Sequence, residues 1–190
     1  MKFIVIETSG EINFALLSNE NALTEAALPQ RQQRDYLLPA IDKLLDAANL
    51  QLSDLDFIAV GNGPGSFTGT RIGVLTAKTL SFANKVPLVP FCSLLAYTPV
   101  VDEPFLLVVD AKSHGYYLYD GTNTVLQEKE SMKIPANTSL YSLHPNQLPF
   151  EAKQADLNLP FLLNHLKQAF AEGKTSSHDA VGVYYLVDQL

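Results

Sequence analysis

Phe3-Ile4-Val5-Ile6-Glu7-Thr8 opens the chain, and Phe105-Leu106-Leu107-Val108-Val109-Asp110 repeats its pattern in the second half. Each stretch starts at a phenylalanine, runs through aliphatic residues and reaches an acid. Apolar runs of this kind, bounded by turn chemistry, read as strands. After the first, Ser9-Gly10-Glu11 supplies a turn and residues 12–18 run back. After the second, Ala111 to Gly115 turn, Tyr116-Tyr117-Leu118-Tyr119 return, and Asp120-Gly121 closes a further turn. Two hairpins with an acid at each tip imply either a duplicated, two-lobed architecture or merely the hairpins that any α/β protein contains.

The chain of 190 residues suits one domain or two small lobes. A chain this long buries about 70% of its unfolded surface. Its hydrophobic share, 47%, is that of an ordinary globular protein. No apolar run reaches the roughly 20 residues that cross a bilayer. No signal-peptide core precedes a small-residue cleavage site, so a cytoplasmic location without a membrane is expected. The single cysteine, Cys92, excludes an internal disulfide framework and a multi-cysteine metal site. Thirteen Lys and Arg against twenty Asp and Glu give a net charge of −7. That balance argues against a protein that grips nucleic acid alone, yet permits one that joins a partner which does.

Helical spacing separates the strands. Over residues 35–49, Leu37, Ile41, Leu45 and Ala48 recur at helical intervals, and Leu38 and Leu44 widen the stripe. Pro39 fits only near the first turn of such a helix. Residues 57–60 read as a short buried strand, residues 70–84 as a second helix and residues 86–91 as another strand. Ser93 is placed to cap a short helix, and Cys92 reads as buried packing rather than as a nucleophile. Residues 131–156, rich in Pro, Asn and Ser, read as loop with short irregular elements. Residues 157–172 return to helical spacing, Gly173 ends that helix, and Val181 to Val187 form a last strand.

Five of the ten glycines fall between Gly61 and Gly73. The segment follows a strand and precedes a helix, as phosphate loops do. Its details fail that test, since no lysine follows Gly69 and neither Gly61-x-Gly63 nor Gly63-x-Gly65 has the third glycine of a dinucleotide loop. What remains is a tight connection in which Ser66, Thr68 and Thr70 can cap the helix. Arg71, a cation in the first turn, calls for a carboxylate partner. The four histidines, His114, His144, His165 and His178, include no close helical pair of metal ligands.

Gly63-Pro64-Gly65-Ser66-Phe67-Thr68-Gly69-Thr70-Arg71-Ile72-Gly73 resembles the signature of the TsaB (YeaZ) family. Ile4 to Ser9, Leu37-Leu38-Pro39, Asp110-Ala111-Lys112 and Ala171 to Lys174 resemble further stretches of it, whereas residues 120 to 157 match weakly. The resemblance implies the duplicated actin-like ATPase fold (sugar kinase, Hsp70 and ribonuclease H-like), with three-layer α/β/α lobes. The expected division is a first lobe over 1–102 and a smaller one over 103–190, whose last elements can pack back on the first.

It further implies a non-catalytic subunit for threonylcarbamoyladenosine at position 37 of tRNAs reading codons that begin with A. The implied partners are the catalytic paralogue TsaD and the ATPase TsaE, with a homodimer when TsaD is absent and tRNA reached only through the complex. No metal or cofactor is implied, although a nucleotide at an interface shared with TsaD is compatible. Glu7 and Asp110 would be vestigial hairpin acids, with Lys112 neutralising the second. The partner interface would fall on the helices at 35–49 and 70–84, with Leu37, Ile41 and Leu45 divided between core and interface and Gly73 and Ala77 permitting close approach. Departures are Gln33 where many relatives have His, Gly115 where a Glu is usual, and a late Val183-Tyr184-Tyr185-Leu186-Val187 without Pro, Arg or the basic tail. The alternative is an independent ATP-dependent kinase or ATPase on the same fold. A peptidase is disfavoured, because no Ser-His-Asp or Cys-His set is recognisable.

Overall fold

The computed structural model describes residues 1–10, 12–19, 23–29 and 32–183. The chain divides into two units, one comprising Met1–Ser93 with the stretch that starts at Leu163, the other Leu94–Leu162.

In the first unit, β1 (Phe3–Glu7), β2 (Asn13–Ser18), β3 (Leu23–Leu28), β4 (Phe57–Gly61) and β5 (Leu88–Phe91) form a sheet in the order β3-β2-β1-β4-β5. β1 pairs antiparallel with β2 and β2 with β3, whereas β1 to β4 and β4 to β5 are parallel. Every residue of β1, β2 and β4 is buried, as befits strands covered on both faces. Ile4, Ile6, Ile58 and Val60 face the helices α1 (Gln33–Ala48) and α2 (Phe67–Asn84) in one core that holds Leu37, Ile41, Leu45, Val74 and Ala77. The alternate residues point the other way. There Phe3 stacks on Phe57 at 4.4 Å between ring centroids, and Phe57 on Phe170 at 4.7 Å. Phe170 belongs to α3 (Leu159–Ala171), so this sheet lies between helical layers.

The second unit repeats the plan. β6 (Phe105–Asp110), β7 (Tyr116–Tyr119), β8 (Thr124–Gln127), β9 (Ser139–Ser142) and β10 (Lys153–Gln154) are ordered β10-β9-β6-β7-β8. Read from the other edge, this is the order of the first sheet, with the same antiparallel and parallel joints. The hairpin at residue 3 and the hairpin at residue 105 therefore open equivalent sheets, and the duplicated ribonuclease H-like fold is present. The crossovers differ: α1 and α2 link β3 to β4 and β4 to β5, while among the described residues the second unit has only coil and a 3-10 turn at Pro145–Gln147 in those places.

Local boundaries correct several expectations. α1 begins at Gln33, which puts Pro39 in its second turn rather than its first. α2 begins at Phe67, three residues earlier than the spacing suggested, because Ser66 caps it: Gly69 N donates to Ser66 Oγ at 3.2 Å. Residues 131–156 contain β9 and β10. Gly173 does end α3 with φ +71°, its successor Lys174 N donating to Ala169 O at 2.9 Å. Of the strand expected over Val181 to Val187, residues from 184 on lie outside those described, and Val181 is a buried coil residue of the first core.

Candidate functional site

The glycine-rich segment closes on the turn between β1 and β2. Ser66 N donates to Ser9 O at 2.6 Å, and Thr8 Oγ1 donates to Gly69 O at 2.8 Å. Gly63 N donates to Ser93 Oγ at 3.1 Å, and Ser93 N to Gly63 O at 2.8 Å. Thr70 N and Thr70 Oγ1 both donate to Ser66 O. Gly69 is required by contact, since a Cβ there would stand 2.1 Å from Thr8 O. In a segment placed where anion-binding loops sit, the amides of Gly63, Ser66, Gly69 and Thr70 are directed to the chain's own oxygens. Gly63, Gly65, Ser66 and Gly69 thus serve the connection itself, and Thr68 lies exposed. Ser93 turns its hydroxyl to this loop and opens a 3-10 turn over Ser93–Tyr97. Arg71 falls in the second turn of α2, with its guanidinium 3.6 Å above the Phe67 ring. That cation–π contact is a partner the sequence reading did not foresee.

Glu7 ends β1 and is fully buried. Its Oε1 accepts from Ser9 N at 2.6 Å and from Ser9 Oγ, while Oε2 is buried with no hydrogen-bond partner among the described residues. Gly61 makes room for the carboxyl: a Cβ there would lie 1.9 Å from Oε2. Burial pushes the Glu7 carboxyl above the usual glutamate range, against the lowering effect of the Ser9 hydrogen bonds and of the nearby Ser93 hydroxyl and Thr8 amide.

Asp110 ends β6, the equivalent strand of the other unit, and is neutralised differently. Lys129 Nζ lies 2.9 Å from Oδ1 and Lys112 Nζ 3.6 Å from Oδ2, and Lys112 N donates to Oδ1 at 2.9 Å. Lys112 therefore does pair with Asp110, but Lys129 is closer. Burial raises the Asp110 carboxyl, yet Lys129, the Lys112 amide and the two lysine charges together hold it below the ordinary aspartate value. Glu7 and Asp110 belong to different units, and each is satisfied or buried within its own. Cys92 is half-buried rather than buried. Among the described residues no group of three or more His, Cys, Asp and Glu side chains could hold a metal ion.

The residues expected at a partner interface need correction. Leu37, Ile41, Leu45 and Ala77 are all core, and buried Gly73 faces Thr8 Oγ1 on the sheet side of α2. The wide apolar stripe of α1 is used up by the chain's own sheet. The apolar residues left in solvent are others: Phe67, Leu75 and Phe82 on α2, exposed by 58%, 67% and 67%, and Tyr36 and Leu38 on α1. At 100° per residue, Phe67, Arg71, Phe82 and Leu75 fall within one narrow arc of α2. These positions lie off the helical period of the core-facing residues Gly73, Val74, Ala77 and Ser81.

The family model for tRNA N6-adenosine threonylcarbamoyltransferase, TsaD, matches residues 25–178. Among curated proteins, the tRNA threonylcarbamoyladenosine biosynthesis protein TsaB of Haemophilus influenzae is 31% identical over 135 residues, 68% of this chain and 56% of that protein. The Bacillus subtilis protein of the same name is 34% identical over 96 residues, 50% of this chain and 42% of that protein. The chain thus spans about half the length of the curated relatives it matches. Among solved structures, YeaZ from Pseudomonas aeruginosa superposes with a TM-score of 0.77 at 23% identity, covering 97% of this chain and 100% of that one. That likeness is one of fold. No helix among the described residues is long and apolar enough to cross a membrane.

Proposed function

The chain belongs to the TsaB (YeaZ) family, and from that premise we propose that it is a docking subunit for the formation of threonylcarbamoyladenosine in tRNA, without turnover of its own. Its partner in this reading is a TsaD-type transferase, with a TsaE-type ATPase joining the pair and tRNA reached only through the assembly, at position 37 of tRNAs that read codons beginning with A. A nucleotide, where the assembly uses one, binds with residues of the partner. The observation that carries the reading is the solvent-facing apolar arc of α2, Phe67, Leu75 and Phe82, with Tyr36 and Leu38 of α1 exposed as well. Large exposed side chains grouped in this way mark association surfaces. The internally bonded amides of Gly63, Ser66, Gly69 and Thr70, a buried Glu7 and an ion-paired Asp110 favour docking over the alternative of an independent kinase or ATPase.

Charge supports a second copy as the occupant when the transferase is missing. α1 exposes Asp35, Asp42 and Asp46 against Arg34 and Lys43, a net negative charge, whereas α2 carries Arg71 and Lys78, with Lys85 at its C-cap, and no acid. A two-fold pairing that sets α1 against α2 of another copy matches opposite signs.

Leu75→Asp and Phe82→Asp test the docking. Both side chains are mostly solvated, so folding changes by less than about 0.5 kcal/mol, while loss of a central apolar anchor weakens binding by about 2 kcal/mol, near thirtyfold. Titration of a TsaD-type transferase with either variant reads this directly. Unchanged affinity for both folded variants refutes the surface, and rapid ATP turnover by the isolated chain refutes the non-catalytic role.

A further inference from the structure

Glu7 presents a problem that docking does not answer. One carboxyl oxygen takes two hydrogen bonds from Ser9, and the other is buried without one. An ionised carboxylate in that position would leave a charged acceptor desolvated, a costly state unless a cation or donors compensate. Among the described residues no charge does so: the influences on its ionisation are burial, the Ser9 hydrogen bonds, and the nearby Ser93 hydroxyl and Thr8 amide. The neighbouring elements tell the same story. β2 contributes Phe14 opposite Glu7, β4 ends at Gly61, and α2 brings Gly69 and Gly73 to the adjoining Thr8. Among the described residues, the titratable or charged side chains on α2 and just after β5 are half-buried Cys92, next to Ser93, Arg71, which lies over Phe67, and Lys78, whose Nζ donates to Val181 O.

The polar group facing Oε2 is the Ser93 hydroxyl. Both crowd the point where a Gly61 Cβ would stand, at 1.9 Å for Oε2 and 2.8 Å for Ser93 Oγ. Ser93 Oγ already accepts from Gly63 N, and a hydroxyl oxygen has a second lone pair to offer.

We propose that Glu7 is a neutral carboxylic acid in the folded protein, with Oε2–H donating to Ser93 Oγ, and that it acts as a positioning residue for the glycine-rich loop. The balance closes: Oε1 accepts the Ser9 amide and hydroxyl, the acid proton satisfies the orphan oxygen, and Ser93 Oγ takes two donors. The chain of bonds ties the β1–β2 turn to Ser93, two residues past β5, and through Gly63 to the loop that starts α2. Ionisation leaves a desolvated charge on Oε2 and requires the Ser93 hydroxyl to turn from acceptor to donor. The cost of burying the charge outweighs that bond, so the loop is held most firmly in acid. The sign follows from linkage: a carboxyl whose folded pKa is raised contributes stability fully below the ordinary glutamate value of 4.5, lost as pH rises to the folded value.

The test needs no partner, so its failure leaves the docking reading standing, and the reverse. Infrared difference spectra of the intact chain at neutral pH compare wild type with Glu7→Gln. The expected result is a deuterium-sensitive stretch of a protonated carboxyl in wild type that the variant lacks, with a melting midpoint that falls on alkalinisation in wild type and less so in Glu7→Gln. A wild-type spectrum with no protonated-carboxyl band, or the same pH profile in both proteins, overturns the proposal. Should Glu7→Gln not fold, Ser93→Ala serves: the band is expected at higher frequency, and an unmoved band overturns the assigned acceptor.

Discussion

Gly61→Ala is the sharpest test of how tightly the tip of β1 is built. The added methyl would lie 1.9 Å from Glu7 Oε2, 2.8 Å from Glu7 Cδ and 2.8 Å from Ser93 Oγ. The carboxyl cannot simply swing away, because Ser9 N and Ser9 Oγ hold its other oxygen. Either those bonds break or β4 moves against β1, along a register that pairs Ile6 with Val60 one residue earlier. Overpacking of a buried site with no flexible outlet costs about 2–3 kcal/mol. In a chain of this size that lowers the melting midpoint by roughly 4–12 °C. Thermal melts followed by circular dichroism, repeated in a Glu7→Ala background, complete a double-mutant cycle. Glu7→Ala removes the obstacle, so the methyl should then cost about 1 kcal/mol or less, a coupling of about 1.5–2 kcal/mol. An equal cost in both backgrounds would refute the claim that Gly61 exists to admit the Glu7 carboxyl.

Two further outcomes follow from the same geometry. Ser66→Ala removes the cap of α2 and should destabilise by about 1 kcal/mol in urea titrations, with Ser66→Gly costing a few tenths. Lys129→Met should be less stable than wild type at neutral pH. Asp110 has a depressed folded pKa, so its pairing contributes above the ordinary aspartate value of 3.8 and is lost as pH falls through the folded value. The two urea midpoints should therefore converge in acid, and a difference that persists at low pH would assign the loss to packing of Lys129 on the Tyr116 ring instead.

Sequence patterning carried the first unit far and the second only part of the way. β1, β4 and β6 are unbroken apolar runs, and such runs announce themselves. β10 is two exposed residues, Lys153 and Gln154, recruited by backbone pairing with Tyr141 and Ser142, so no side-chain period marks it. Lys129 escaped for a topological reason. It lies just past Gln127, which pairs with Tyr116, which pairs with Asp110, so only the strand order brings it to the acid. The interface residues were misplaced because helical periodicity finds the face that a sheet buries, and Leu37, Ile41 and Leu45 satisfy it for that reason. Exposed Leu75 and Phe82 stand out only once that face is assigned.

The two acids end equivalent strands, β1 and β6, yet reach opposite ionisation shifts, and the difference traces to the crossovers. In the first unit α2 and its glycine-rich start pack onto the β1–β2 turn, with Gly65, Gly69 and Gly73 all approaching Thr8 or Ser9. Water is shut out, and burial dominates Glu7. The second unit lacks that helix among its described residues, and its tip remains open enough for Asp110 to keep a quarter of its side chain in solvent and for Lys112 and Lys129 to reach it. The carboxyl at one position of one fold is thus shifted up by desolvation where a helix covers it and down by ion pairing where none does. The asymmetry of covering helices also leaves α1 and α2, rather than the second unit, with an outer surface long enough to present an apolar arc to another helix pair.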